Sequence, residues 1–93
     1  MTVDGTPPLG TKQAYTAWQR IMTDEYRELV ERRDASRRTL LDPYGATNPA
    51  EFFAVATECF FEKSWQLQQK HPGLYRLLRD YYGQDPAERG RVG

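Results

Sequence analysis

An all-α fold, a small array of three to four helices, is what this sequence predicts, and three observations predict it. Apolar residues return at helical spacing over long stretches. One segment carries a full helix-start signal, Asn48-Pro49 followed by Glu51. No run alternates apolar and polar residues as a half-buried strand would. Ninety-three residues make one domain at most. A domain of this size buries about two-thirds of the surface its unfolded chain exposes, so its core is thin.

The first helix is expected from about Thr11, a plausible N-cap, to Arg33, with Tyr15, Trp18, Ile21, Met22, Leu29 and Val30 at helical spacing. Residues 1–10, with two prolines and two glycines, read as coil. A loop over 34–48 carries Pro43 and Gly45 as breakers. The second helix runs from Pro49 to Glu62: Asn48 caps it, Pro49 fits its first position, and Glu51 stands three residues after the cap. Phe52, Phe53, Val55, Ala56, Cys59 and Phe60 make it apolar on more than one side, which predicts burial by several neighbours. Ser64 is expected to cap a short third helix to Lys70 with Trp65 and Leu67. His71-Pro72 breaks it and opens a fourth, to about Tyr82, with Leu74, Tyr75, Leu77, Leu78 and Tyr81 inward and Gly83 as its stop. The tail, 84–93, is expected to fray, as are residues 1–10.

Composition narrows function by exclusion. Thirteen basic and thirteen acidic residues cancel, so the chain has no overall pull on nucleic acid, whose binding rests on phosphate neutralisation. The local run Arg32, Arg33, Arg37 and Arg38 reads as a solvated helix end, where cations also suit the macrodipole. It lacks the aromatic interleaving and recognition-helix context of a nucleic-acid surface. The lone Cys59 sits among Val55, Phe60 and Phe61 and reads as a buried, inert thiol. No apolar run approaches the roughly 18 residues of a spanning helix, and residues 1–10 lack a signal-peptide pattern. No membrane partner is predicted, and the expected compartment is the cytoplasm.

The residues that could carry chemistry cluster between Asp42 and Glu62. Tyr44 stands in a loop beside Gly45; Glu51 lies seven positions later in the first turn of a buried helix. Glu58 and Glu62 share the Glu51 face with Val55. A carboxylate on a phenylalanine-crowded helix needs a cation, a metal or hydrogen bonds where it is buried. Spacing leaves plainer readings open. Glu51 could close a capping box on the Asn48 N–H, Glu58 and Glu62 could form a solvated stripe, and Tyr44 could be an ordinary loop tyrosine.

The string DPYGATNPAEFFAVATECFFE, Asp42 to Glu62, closely resembles the signature of the Mlc titration factor A family of zinc metallopeptidases. The resemblance extends to DGTPPL (Asp4 to Leu9), to Trp18 and to HPGLYRLLRDYYGQDP (His71 to Pro86), so it covers nearly the whole chain. The stretch from Tyr44 to Ala54 also looks like part of the anthrax lethal factor protease domain. The resemblance implies the C-terminal part of a zincin-like fold and aminopeptidase-like hydrolysis of peptides by a metal-activated water. In that family an HExxH helix supplies two zinc-binding histidines and a glutamate base. The glutamate of the AEFF string, here Glu51, is the third ligand. The tyrosine seven residues before it, here Tyr44, is placed to stabilise the oxyanion. Glu58 is a weaker candidate for orienting a ligand. Relatives also bind the repressor Mlc, a DNA-binding protein.

One departure is severe. The 93 residues contain no HExxH, and their one histidine, His71, precedes a proline at a helix start and reads as a cap or surface residue. The resemblance therefore implies zinc in the full-length family and none retained by this chain alone, hence no peptidase activity of its own. The chain is expected to be a C-terminal fragment from a truncated gene, a late start or a shortened product. The alternative is a non-catalytic helical interaction module that self-associates or binds another protein through uncovered apolar faces.

Overall fold

The computed structural model describes residues 12–89, and among them there is no strand. Five helices follow one another: α1 Lys12–Asp34, α2 Pro49–Glu62, α3 Ser64–Lys70, α4 Pro72–Tyr82 and α5 Pro86–Arg89, with a 3₁₀ turn at Pro43–Ala46 between α1 and α2. The expectations for residues 1–10, for Thr11 as a cap and for 90–93 lie outside the described residues. No described helix is long and apolar enough to cross a membrane.

α2 forms where its start signal places it. The Asn48 side chain accepts the Glu51 N–H at 2.9 Å, and Pro49, which has no N–H to satisfy, fills the first position. Phe52, Val55, Ala56, Cys59 and Phe60 are all buried, as their crowding on two sides predicts. Around them stand Trp18 and Leu29 of α1, Leu67 of α3, and Leu74, Tyr75 and Leu78 of α4. Burying each such large side chain contributes on the order of 1.5–3 kcal/mol. Phe60 packs its ring against Tyr75, Tyr82 and Phe61, at 5.1, 5.8 and 4.9 Å between ring centroids.

Three details depart from the sequence reading. Tyr81 is 40% exposed rather than inward, although one side of its ring meets Trp18 and Phe53 edge-on. Tyr15, on the expected apolar face of α1, is also exposed and accepts a hydrogen bond from Gln19. Ser64 is the first residue of α3 rather than its cap. Lys63 holds that position, and its N–H closes α2 on the Cys59 carbonyl at 2.7 Å, so the two helices share one junction residue.

The chain after α4 is tied down by one phenol. Tyr75, buried, donates to the Asp85 carboxylate and accepts the Ala87 N–H at 3.0 Å. Ala87 is buried as well, so α5 occupies residues the sequence leaves in a frayed tail. Burial, then the Asp85 hydrogen bond, push the Tyr75 phenol above its ordinary pKa.

Candidate functional site

The segment that carries Tyr44 is built from short-range hydrogen bonds. The Asp42 carboxylate accepts the Tyr44 N–H at 2.9 Å, and the Gly45 N–H reaches the Asp42 carbonyl at 2.9 Å. From α1, the Tyr26 hydroxyl and the Arg33 guanidinium both donate to the Ala46 carbonyl, at 3.2 and 3.3 Å. Gly45 lets this turn settle onto the core. A Cβ there would lie 3.1 Å from Val55 Cβ and 3.2 Å from Leu29 Cδ2, tighter than ordinary packing allows. The turn is pinned at its backbone, while Tyr44 itself is 59% exposed.

Glu51 follows in the first turn of α2, half-buried. Only half of the capping box forms. Asn48 accepts the Glu51 N–H, but among the described residues the Glu51 carboxylate makes no return bond to the Asn48 N–H and no other hydrogen bond. At the amino end of a helix that carboxylate also sits where the macrodipole favours negative charge. It is thus held by its backbone and left with its oxygens open.

Glu58 and Glu62 stand elsewhere. They line a cleft of about 350 Å³ with Val55, Cys59, Lys63 and the loop 39–43, a cleft that neither Glu51 nor Tyr44 lines. The structure therefore groups Val55, Glu58 and Glu62, as their shared helical face requires, and leaves Glu51 outside that group. Cys59 is buried, and burial raises its thiol pKa, which keeps it in the poorly nucleophilic thiol form.

A second constellation lies between α1 and the start of α4. His71 Nδ1 and Glu25 Oε1 are 2.8 Å apart, each side chain only 17% exposed. Glu28, one turn along α1, accepts from Arg32 Nε at 3.1 Å. The hydrogen bond that His71 donates to the Glu25 carboxylate raises the His71 pKa against the opposing effect of burial. His71 does stand at the cap position of α4, but its side chain makes no capping bond there; it faces α1 instead. The sequence carried no signal for this pairing. Glu25 and Glu28 share a helical face by spacing, yet His71 is 46 residues away and only the packing of α4 on α1 brings it in.

A catalytic zinc needs three protein ligands and an open position. Among the described residues, Glu51 offers one oxygen donor and no histidine stands with it. Glu25, Glu28 and His71 are the grouping of three potential metal donors, and Glu51 is not in it. The described residues alone do not assemble a catalytic zinc centre around Glu51.

Comparison with known proteins places the chain among peptidases. The family profile described as glucose-regulated metallo-peptidase M90 matches residues 1–83. The uncharacterized Synechocystis sp. protein slr2042 is 49% identical over 84 residues, 90% of this chain and 30% of that protein. Mlc titration factor A of Pectobacterium atrosepticum is 45% identical over 49 residues, covering 53% of this chain and 18% of its own length. Its counterpart in Edwardsiella ictaluri is 31% identical over 87 residues, covering 91% and 33%. The chain thus spans about a third or less of the curated relatives it matches. No solved structure matches it.

Proposed function

Since this chain belongs to the glucose-regulated metallopeptidase M90 family, we propose that it supplies one wall of a zinc peptidase centre whose histidine ligands and catalytic base come from an HExxH helix outside these 93 residues. In that reading Glu51 is the third zinc ligand and Tyr44 the donor to the oxyanion, with Glu58 a more distant orienting group. The observation that carries the reading is the Glu51 carboxylate, backbone-anchored in a half-buried first turn with its oxygens unbonded. Tyr44, exposed on a turn that three α1 and α2 contacts hold rigid, can present its hydroxyl to a substrate carbonyl. Zinc, when bound, supplies Lewis acidity and a water of lowered pKa. The substrates are peptides, hydrolysed in an aminopeptidase-like manner in the cytoplasm. A Mlc-like repressor is a second partner, and the likeness of Tyr44 to Ala54 to the anthrax lethal factor protease reflects shared ancestry of this wall. By itself the chain is inactive and retains no catalytic zinc.

Metal analysis tests this. The chain is purified alone and joined to the HExxH-bearing part of a family member, and zinc is counted in each after gel filtration. The joined form is expected to hold one zinc more than the chain alone and to show peptidase activity, and Glu51→Gln abolishes both that additional zinc and the activity. Retention of that additional zinc by the joined Glu51→Gln protein removes Glu51 from the metal.

A second reading, the helical interaction module, is favoured by the exposure of Phe61, Trp65 and Tyr81 at 41, 53 and 40%. It predicts self-association of the 93-residue chain. A monomer by light scattering across a wide concentration range excludes that form of it.

A further inference from the structure

We propose that Glu25, Glu28 and His71 form a second metal site, separate from Glu51, for a late first-row divalent cation of the zinc type. One donor atom from each lies within 4.8 Å of the others. Two ligands bound at about 2.0–2.1 Å to one tetrahedral zinc stand roughly 3.3 Å apart. Closing the cluster around an ion therefore requires its side chains to draw together by up to about 1.5 Å.

The donors sit on rigid elements rather than on a loop. Glu25 and Glu28 are three residues apart on α1, which sets them on one face, and His71 is fixed by the junction of α3 and α4 through backbone bonds to Leu67 and Tyr75 at 2.7 and 2.9 Å. They open onto a cavity of about 370 Å³ with room for the water that completes a coordination shell. Leu29, Leu40 and Leu41 give that cavity an apolar side, which lowers the local dielectric and strengthens attraction between a cation and the carboxylates.

The donor set selects the ion. One imidazole and two carboxylates suit zinc or cobalt; magnesium and calcium prefer all-oxygen shells. In the ion-free protein the place of the cation is taken by the hydrogen-bonded proton between His71 and Glu25 and by Arg32 against Glu28. Binding thus exchanges that proton for the metal and turns Arg32 toward solvent or toward the Arg38 carbonyl, which its Nη1 already contacts at 3.4 Å. Arg38 and Lys70 also line the cavity, and their charge holds the affinity below that of a closed structural zinc site.

The test is cobalt titration of the chelator-treated 93-residue chain, followed by visible absorption, with zinc as competitor. One equivalent of Co²⁺ is expected, displaced by Zn²⁺. His71→Ala lowers affinity at least about tenfold and changes the ligand-field spectrum. Glu28→Gln, which leaves the His71–Glu25 bond in place, keeps the helical circular dichroism and also weakens binding at least about tenfold, so loss of binding is separable from loss of fold. Glu51→Gln leaves the titration unchanged. Failure of the wild-type chain to take up Co²⁺ at millimolar concentration, or uptake that survives Glu28→Gln and His71→Ala, overturns the proposal. So does loss of uptake on Glu51→Gln alone.

Discussion

Two carboxylate-bearing regions of this molecule are built in opposite ways. At the start of α2, Tyr44 and Glu51 are seven residues apart in one continuous stretch. Their positions are set by local backbone bonds, and their polar ends are left open. Between α1 and α4, Glu25 and His71 are 46 residues apart, their positions are set by helix packing, and their polar ends are spent on each other. The first arrangement leaves its polar ends without a hydrogen-bond partner among the described residues. The second is complete as an ion pair and can be converted to another use only by displacing a partner. A group without an internal partner costs little while solvent reaches it, and it is available for chemistry; a group already satisfied must be offered something stronger.

The largest expected effect tests the first region. In the protein joined to an HExxH-bearing part, Tyr44→Phe lowers kcat about 100- to 1,000-fold, the usual loss on removing one oxyanion donor, with KM and melting temperature nearly unchanged. Its ring is exposed and its hydroxyl bonds to nothing among the described residues, so stability has no reason to move. A fall of only a few-fold would return Tyr44 to the status of a loop tyrosine and erase the contrast.

The second region is probed by pH. The His71 pKa is raised, first by the Glu25 hydrogen bond, with the Glu25 and Glu28 charges adding to it and burial and Arg32 opposing. A raised pKa means that the pair stabilises the fold fully below the unfolded histidine value, about 6.5, and that this contribution fades as pH rises through the folded value. Denaturant unfolding with chelator present should therefore show the wild type losing more stability than Glu25→Gln on going from pH 5.5 to 8.5. Below pH 6 the variant should be weaker by about 1.5–3 kcal/mol, the worth of a hydrogen bond to a charged group. Parallel pH profiles would mean that the pair is ornamental.

A smaller effect separates architecture from chemistry within the first region. Asn48→Ala removes the accepted Glu51 N–H and should cost about 1 kcal/mol of stability. Glu51→Gln should change stability by no more than about 0.5 kcal/mol, as expected of a side chain without a hydrogen bond. Equal losses from the two would show a closed capping box in solution.

What could be read from the sequence follows the same division. The bounds of α2, from Pro49 to Glu62, and the Gly83 stop of α4 were legible because each is written in adjacent residues. The likeness to the Mlc titration factor A family was legible for the same reason, through the string from Asp42 to Glu62. The docking of α5 was not, because it depends on the Tyr75 hydroxyl meeting Asp85 and the Ala87 N–H, and a buried phenol announces no partner. Nor was the outward turn of Tyr81 legible, since helical spacing names a face and not how far the neighbouring helix extends to cover it. The His71 contact escaped because a histidine before proline looks the same whether its ring faces water or α1.

The smallest effect concerns the turn that leads the chain out of α1 toward Tyr44. α1 and α4 end alike in two respects: a residue in the left-handed region lies just past the helix, directly at α4 and after Ala35 at α1, and the next N–H reaches five residues back. At α4 that residue is Gly83, φ 65°, with the Gln84 N–H on the Arg79 carbonyl at 3.3 Å; at α1 it is Ser36, φ 55°, with the Arg37 N–H on the Arg32 carbonyl at 2.8 Å. Only glycine adopts this conformation without a Cβ penalty. The two turns differ in that the Gly83 N–H reaches the Arg79 carbonyl at 2.8 Å whereas the Ser36 N–H reaches the Arg33 carbonyl at 3.0 Å. The left-handed residue carries a Cβ only at α1, however, so the substitutions should have opposite signs. Gly83→Ala should destabilise by about 1 kcal/mol and Ser36→Gly should stabilise by about half that, the relief of strain being partly offset by the greater freedom of glycine in the unfolded chain. A Ser36→Gly protein that is less stable than wild type would show that the α1 turn is held by its serine side chain rather than merely tolerating it.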